Sequence, residues 1–163
     1  ETSSEAVEAL LDLYPKIQDW DALRELQDDR LKALEGSERT AGLMALATLC
    51  SQRLMMPDDA LGYYQEILKA TPSHAPAFNA SSAILREESR FSDLAELLES
   101  FVDASADLPT AEAVSLRVEI ARLADEEGET ERATQRLDEA IALDPNAQDA
   151  VELLGQIKAR EED

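Results

Sequence analysis

Cysteine is almost absent from this 163-residue chain: Cys50 stands alone, so no disulfide can form within it, and the redox setting is drawn only towards the reducing side. Histidine is as scarce, with His74 the single copy, and one His with one Cys leaves no local zinc set. Glycine and proline number 5 and 6 and aromatics make up 4%, a poverty that favours long helices with few tight turns. The fold class that follows is all-α. Long apolar runs are missing as well. No stretch approaches the roughly 18 residues of a membrane span, and the opening ETSSEAVEAL lacks the basic-then-apolar order of a signal peptide.

Positive charge is the last scarcity. Fifteen Lys and Arg face 36 Asp and Glu, a net charge of −21. Phosphate backbones and anionic lipid repel such a surface, which excludes nucleic acid and membrane insertion from the expected partners. The acid serves solubility on solvated helix faces, or meets a basic partner or a salt-rich habitat, and salt dependence separates these. The compartment favoured is the cytoplasm. The chain starts at Glu1 rather than with Met, and it is expected to be a piece of something longer.

What is present is regular. Breakers fall at Pro15, Gly36-Ser37, Pro57-Asp58, Pro72-Ser73, Ser89 to Ser92, Pro109-Thr110, Gly128 and Pro145-Asn146. Between them apolar residues recur at helical spacing, as in Val7, Leu10, Leu11 and Tyr14, or Leu116, Ile120, Leu123 and Ala124. The spacing predicts nine short helices. Ser37, Asp58, Ser92 and Thr110 are expected to cap first-turn amides, and Pro72 and Pro145 to follow helices they cannot continue. Lone helices of about 12 to 15 residues are marginal in water, so these must stack as antiparallel hairpins.

The hairpins repeat. ALGYYQEILKATP, 60–72, runs parallel to ATQRLDEAIALDP, 133–145: each places Ala twelve residues before Pro and an apolar residue, Tyr64 or Leu137, four after the Ala. That register starts repeats at Ser4, Ala41, Ala75, Val114 and Gln148, with steps of 37, 34, 39 and 34. The sequence here resembles the tetratricopeptide repeat (TPR) family, whose pattern is W-x2-L-G-x2-Y, then A-x3-F, then P, over about 34 residues. Ala60, Tyr64 and Pro72 match it, as do Ala133, Leu137 and Pro145, with Leu154-Gly155 opening a last half-repeat. No repeat has the full signature: Thr48 and Ser82 replace the small Gly, Gln27 an aromatic, and Ala106 a Pro.

The resemblance implies a right-handed α-solenoid of about four TPR-like hairpins, 4–40, 41–74, 75–113 and 114–147, plus a closing helix 148–161, in a single repeat domain 1–163. Ala60, Ala133 and Gly155 would then be points of close helix approach. In the family the first helices line a concave face that holds a peptide or partner helix. Carried over, that groove presents Glu5, Glu8 and Asp12; Ala45, Leu49 and Gln52; Asn79, Ala83 and Arg86; Val118, Arg122 and Asp125; Glu152 and Gln156. The Lys, Asn and Arg clamp that some members close on chaperone carboxylates is absent, since Glu8, Asp12, Leu46, Pro76 and Ala80 stand in its places. An extended segment is expected instead, resting on Leu49, Ala83 and Val118 and hooked by Asn79, Arg86 and Arg122.

Catalytic chemistry finds no foothold. No HExxH, GxxxxGK[ST] or GxGxxG occurs, and DEEGETE, 125–131, lacks the spacing that wraps calcium. His74 is taken as a turn residue, Cys50 as core packing, Met55-Met56 as a core plug between repeats and Trp20 as a packing anchor. No catalytic, cofactor or metal residue is assigned and no enzyme activity is expected. The expected role is a non-catalytic protein-protein interaction or scaffolding module. The alternative is a structural spacer that self-associates through its terminal repeat faces.

Overall fold

A computed structural model describes residues 4–161. Among them the chain is all-α, with nine helices: α1 (Ser4–Ile17), α2 (Trp20–Leu31), α3 (Gly36–Leu49), α4 (Pro57–Ala70), α5 (Ala75–Glu87), α6 (Phe91–Ala104), α7 (Thr110–Glu126), α8 (Thr130–Leu143) and α9 (Gln148–Glu161). A π-helical stretch, Cys50–Leu54, prolongs α3. The helices gather into two compact units, Glu1–Ile84 and Leu85–Asp163, with the border inside α5. In the first unit α1, α2, α3 and α4 each pack on the next; in the second α6 packs on α7, α7 on α8, α8 on α9, and α7 also on α9.

Close packing of small residues marks the second and fourth hairpins. In the second unit Ala121, Ala124, Ala133 and Ala140 are completely buried around Leu137 and Ile157. A methyl group is all that separates these helix backbones, so α7 and α8 approach more closely than larger side chains would allow. The first unit buries Ala47 and Ala60 in the same way beside Leu46, Tyr64 and Ile67. Ala60 and Ala133 therefore sit where close approach was expected. Gly155 does not: an added β-carbon there would meet nothing within 4 Å. The pattern marks a helix place, and no described neighbour fills it.

One backbone device makes every turn inside a hairpin. Gln18, Met55, Ser89 and Gly128 all have positive φ, 58°, 55°, 56° and 81°, at steps of 37, 34 and 39 residues. In each case the next amide donates back into the ending helix: Asp19 to the Tyr14 carbonyl (3.0 Å), Met56 to Cys50 (2.9 Å), Arg90 to Leu85 (2.9 Å) and Glu129 to Ala124 (2.8 Å). This is the left-handed C-cap, and the following helix starts one residue later. At Met56 the bond reaches one residue further because the π stretch inserts one.

The observed helix starts correct the expected caps. Ser37, Asp58, Ser92 and Thr110 lie inside the first turns; the cap positions are Glu35, Met56, Arg90 and Pro109, none with a side-chain cap bond. Side chains accept first-turn amides at two other places, Asp19 from Ala22 (3.2 Å) and His74 Nδ1 from Ala77 (3.2 Å). Nor does Pro15 stop a helix, since α1 runs two residues past it.

Gly128 has open space around it, so Gly128→Ala tests conformation alone and is expected to cost about 1 kcal/mol, while Ser89→Gly gains up to about 1 kcal/mol. Urea unfolding measures both; opposite signs would refute the shared turn. Ala133→Leu is expected to lose roughly 1 to 3 kcal/mol by overpacking, whereas Gly155→Ala gains about 0.5 to 1 kcal/mol from helix propensity. A loss at Gly155 would show that the site is occupied.

Candidate functional site

A concavity in the second unit lies between α7 and the joint of α8 with α9. On α7, Val114, Val118 and Arg122 recur every fourth residue and so share one face. Opposite them the chain turns through Asp144, Pro145, Asn146 and Ala147. The Asp144 carboxylate accepts the Asn146 amide (2.9 Å) and its carbonyl accepts the Ala147 amide (3.0 Å), which fixes the turn and starts α9 at Gln148. The cleft so formed measures about 570 Å3 and is lined by Val114, Val118, Arg122, Asn146, Ala147 and Gln148 among others. Val118 is only 7% exposed and belongs to the core beneath the floor. Arg122 is exposed and makes no hydrogen bond or ion pair to a described residue.

Arg86, expected as a second hook, is already engaged. Its guanidinium donates to both oxygens of Glu119 (2.8 and 2.9 Å), and Glu119 lines the same cleft. Asp125 is likewise held, accepting two bonds from Arg160 (2.7 and 2.6 Å). In the first unit Ala45 is exposed and lines a separate cleft of about 380 Å3 with Gln27, Arg30 and Gly42. Leu49 is 7% exposed, which leaves little of it for a ligand. Gln52, in the π stretch, and Asn79 and Ala83, on α5, are exposed. Glu119, Asn146 and Gln148 escaped the sequence reading because groove places were carried over from helix positions alone. A signal existed in Arg86 and Glu119, an opposite-charge pair set one repeat apart.

No protein-family model matches the chain, and no curated protein matches it in sequence. Solved structures do. The N-terminal domain of stress-induced protein-1 (STI-1) from C. elegans superposes with a TM-score of 0.56 at 12% identity, over 74% of this chain and 95% of that one. MamA from Desulfovibrio magneticus RS-1, residue 41 to its end, gives 0.51 at 16% identity, over 98% and 85%. BtubC (BKLC) from P. vanneervenii gives 0.51 at 19% identity, over 98% and 73%. The fold is the TPR helical-repeat fold. At these identities the likeness is one of fold alone.

Other singled-out residues find definite places on this TPR scaffold. His74 sits in the turn before α5 as its cap, and Cys50 is buried, its thiol pushed up by that burial. Trp20 is half-buried at the start of α2 with the Arg53 guanidinium 5.2 Å above its ring. Met55 and Met56 correct the expected core plug: they are 77% and 39% exposed, because the π stretch and the left-handed Met55 turn both outward. Among the described residues no group of three or more His, Cys, Asp or Glu is placed to hold a metal ion. No described helix is long and apolar enough to cross a membrane.

Polar side chains tie some of the TPR helices to the counterpart one repeat on within each unit. Arg24 pairs with Asp59 (2.9 Å), Tyr63 donates to Asp28 (2.8 Å) and Arg132 pairs with Glu99 (2.9 Å), all 33 to 35 residues apart. Burial and the bond to Asp28 push Tyr63 up to about 12. In the second unit the pairs fuse into a chain of alternating charge: Arg117, Glu139, Arg136, Glu99, Arg132 and Glu129. Partial burial raises the Glu99 pKa, but the bond from Arg132 and the charges of Arg132 and Arg136 outweigh it and hold Glu99 below the usual 4.5. Glu139 is lowered in the same manner, chiefly by Arg136 acting against burial.

A depressed carboxylate stabilises the fold above its unfolded pKa and loses that contribution as pH falls through the folded value. Unfolding of the full chain is therefore expected to ease steeply below about pH 4.5, and Glu99→Gln to cost about 1 to 2 kcal/mol at pH 7 while flattening that acid limb. Urea midpoints measured across the acid range check it. An acid limb as steep in the variant as in the parent would remove Glu99 from the account.

Proposed function

We propose that this chain is a non-catalytic interaction or scaffolding module that holds a peptide or partner helix along the first helices of its repeats, taken as 4–40, 41–74, 75–113 and 114–147 with a closing helix. The observation that carries the reading is the α7 cleft. Its floor is apolar at Val114 and Ala147 over the buried Val118, its rim offers the amides of Asn146 and Gln148, and Arg122 is left unmatched above it. An extended segment satisfies all three: a small apolar side chain on the floor, backbone groups to the amides and a carboxylate to Arg122. Arg86 supports the rim through Glu119 rather than meeting the ligand.

Selection of peptides from a displayed library on the full chain tests this. Recovered peptides are expected to lose affinity about tenfold or more in Arg122→Glu, the scale of one charge-assisted bond, with helicity unchanged. Failure to recover peptides, or affinity indifferent to Arg122→Glu and Val114→Glu alike, would overturn it.

A further inference from the structure

Met55 combines two features that its own fold does not require. It is a non-glycine residue in the left-handed region, φ 55°, where a β-carbon is strained, and its side chain is 77% exposed. Gly128 meets the same backbone demand in the corresponding turn of the fourth hairpin without either cost. Met56, beside it, is 39% exposed and held by Arg24, whose Nη1 donates to the Met56 sulfur at 3.3 Å. Arg24 lies one helical turn beyond Trp20, and Arg53 covers the Trp20 ring at 5.2 Å. Ile17, 58% exposed, ends the helix that leads into the Trp20 turn.

These apolar side chains share a strongly acidic edge. Asp19 and Asp21 stand at the start of α2, and Asp58 and Asp59 in the first turn of α4. Of the cations beside them, Arg24 is paired with Asp59 and Arg53 lies on Trp20.

We propose that this edge of the first unit, Met55 and Met56 beside Trp20, docks a basic peptide segment with an apolar face. Methionine side chains are flexible and polarisable and adapt to irregular apolar partners. The carboxylates around them select lysine and arginine at the partner's margin, and they repel acidic segments and anionic lipid. A second copy of this chain would bring the same carboxylates to the contact, which argues against it as the occupant. The surface does not depend on the α7 cleft, so either assignment can fail without the other.

Trp20 is the only tryptophan and reports from the edge itself. The full chain is titrated with a leucine-lysine amphipathic helical peptide while Trp20 emission is followed, and in parallel with a glutamine-lysine peptide of equal charge. A saturable, stoichiometric change is expected with the first and at least tenfold weaker binding with the second. Met55→Gln combined with Met56→Gln is expected to weaken the leucine-lysine complex about tenfold. Met55→Gly, which relieves the backbone strain, is the second variant: it keeps helicity and is expected to lose part of the affinity. Equal binding of both peptides, or affinity unmoved by the methionine substitutions, would overturn the proposal. So would self-association of the parent chain that the same substitutions abolish, since the occupant would then be a second copy.

Discussion

Alanine at the helix contacts is the constraint on which the rest depends. Helices of 12 to 17 residues have too little internal cooperativity to persist alone, so each must recover stability from its neighbours. Buried Ala121, Ala124, Ala133 and Ala140 let two backbones approach until Leu137 and Ile157 fill what remains. A core built this way needs few aromatics, which accounts for the 4% in the sequence. It also needs tight reversals, because helices brought so close cannot be joined by a wandering loop. The left-handed residue followed by a cap residue is the shortest solution, and the four described hairpins use it.

The acid excess looks different once the arginines are placed. Arg24, Arg86, Arg132 and Arg160 each meet a carboxylate or its equivalent about one repeat away, so much of the scarce positive charge lies between helices. Such pairs, partly exposed, add little stability individually, but a network shared by several carboxylates fixes which helix face meets which. What remains outward is mostly acid, with Arg30, Lys69 and Lys158 exposed as well. Against that background Arg122 is set apart by its place in a concavity, and Met55 and Met56 by their exposure within an acidic margin.

Periodicity made the helices, their number and the resemblance to TPR legible, because apolar spacing and a terminal proline are local properties of the chain. Turn chemistry was far less legible. Three of the four hairpin turns place Gln, Met and Ser at the left-handed position, so the glycine signal that marks Gly128 is silent there. The expected caps were misplaced by one or two residues, and Met55-Met56 was assigned to the core although a π turn rotates it out. Gly155 shows a different limit: a repeat motif specifies where a neighbour would pack, and the residue alone does not say whether one does. In the cleft, Val118 and Arg122 are among the groove places that the TPR resemblance carries over, whereas Asn146 and Gln148 depend on how the Asp144 turn folds back towards α7.

Where the repeat departs from 34 residues, the surplus is not spread evenly. From one left-handed turn to the next, the long steps lengthen the first helix of a pair: α3 with its π stretch runs from Gly36 to Leu54, and α7 has 17 residues against 13 in α5. Second helices stay at 12 to 14. The asymmetry has a physical origin, since the backbone turn is the same in all four hairpins and the alanine and proline that close the second and fourth lie on or just after the second helix, leaving first helices as the elements that absorb residues. In α3 the insertion is taken up by a π turn, which preserves the helix but changes the facing of everything after it, and Met55 is the residue so exposed. In α7 it is taken up by roughly one more helical turn. Both candidate surfaces thus involve the helices where the repeat is least regular, and length variation in first helices becomes the means by which a uniform scaffold acquires surfaces of its own.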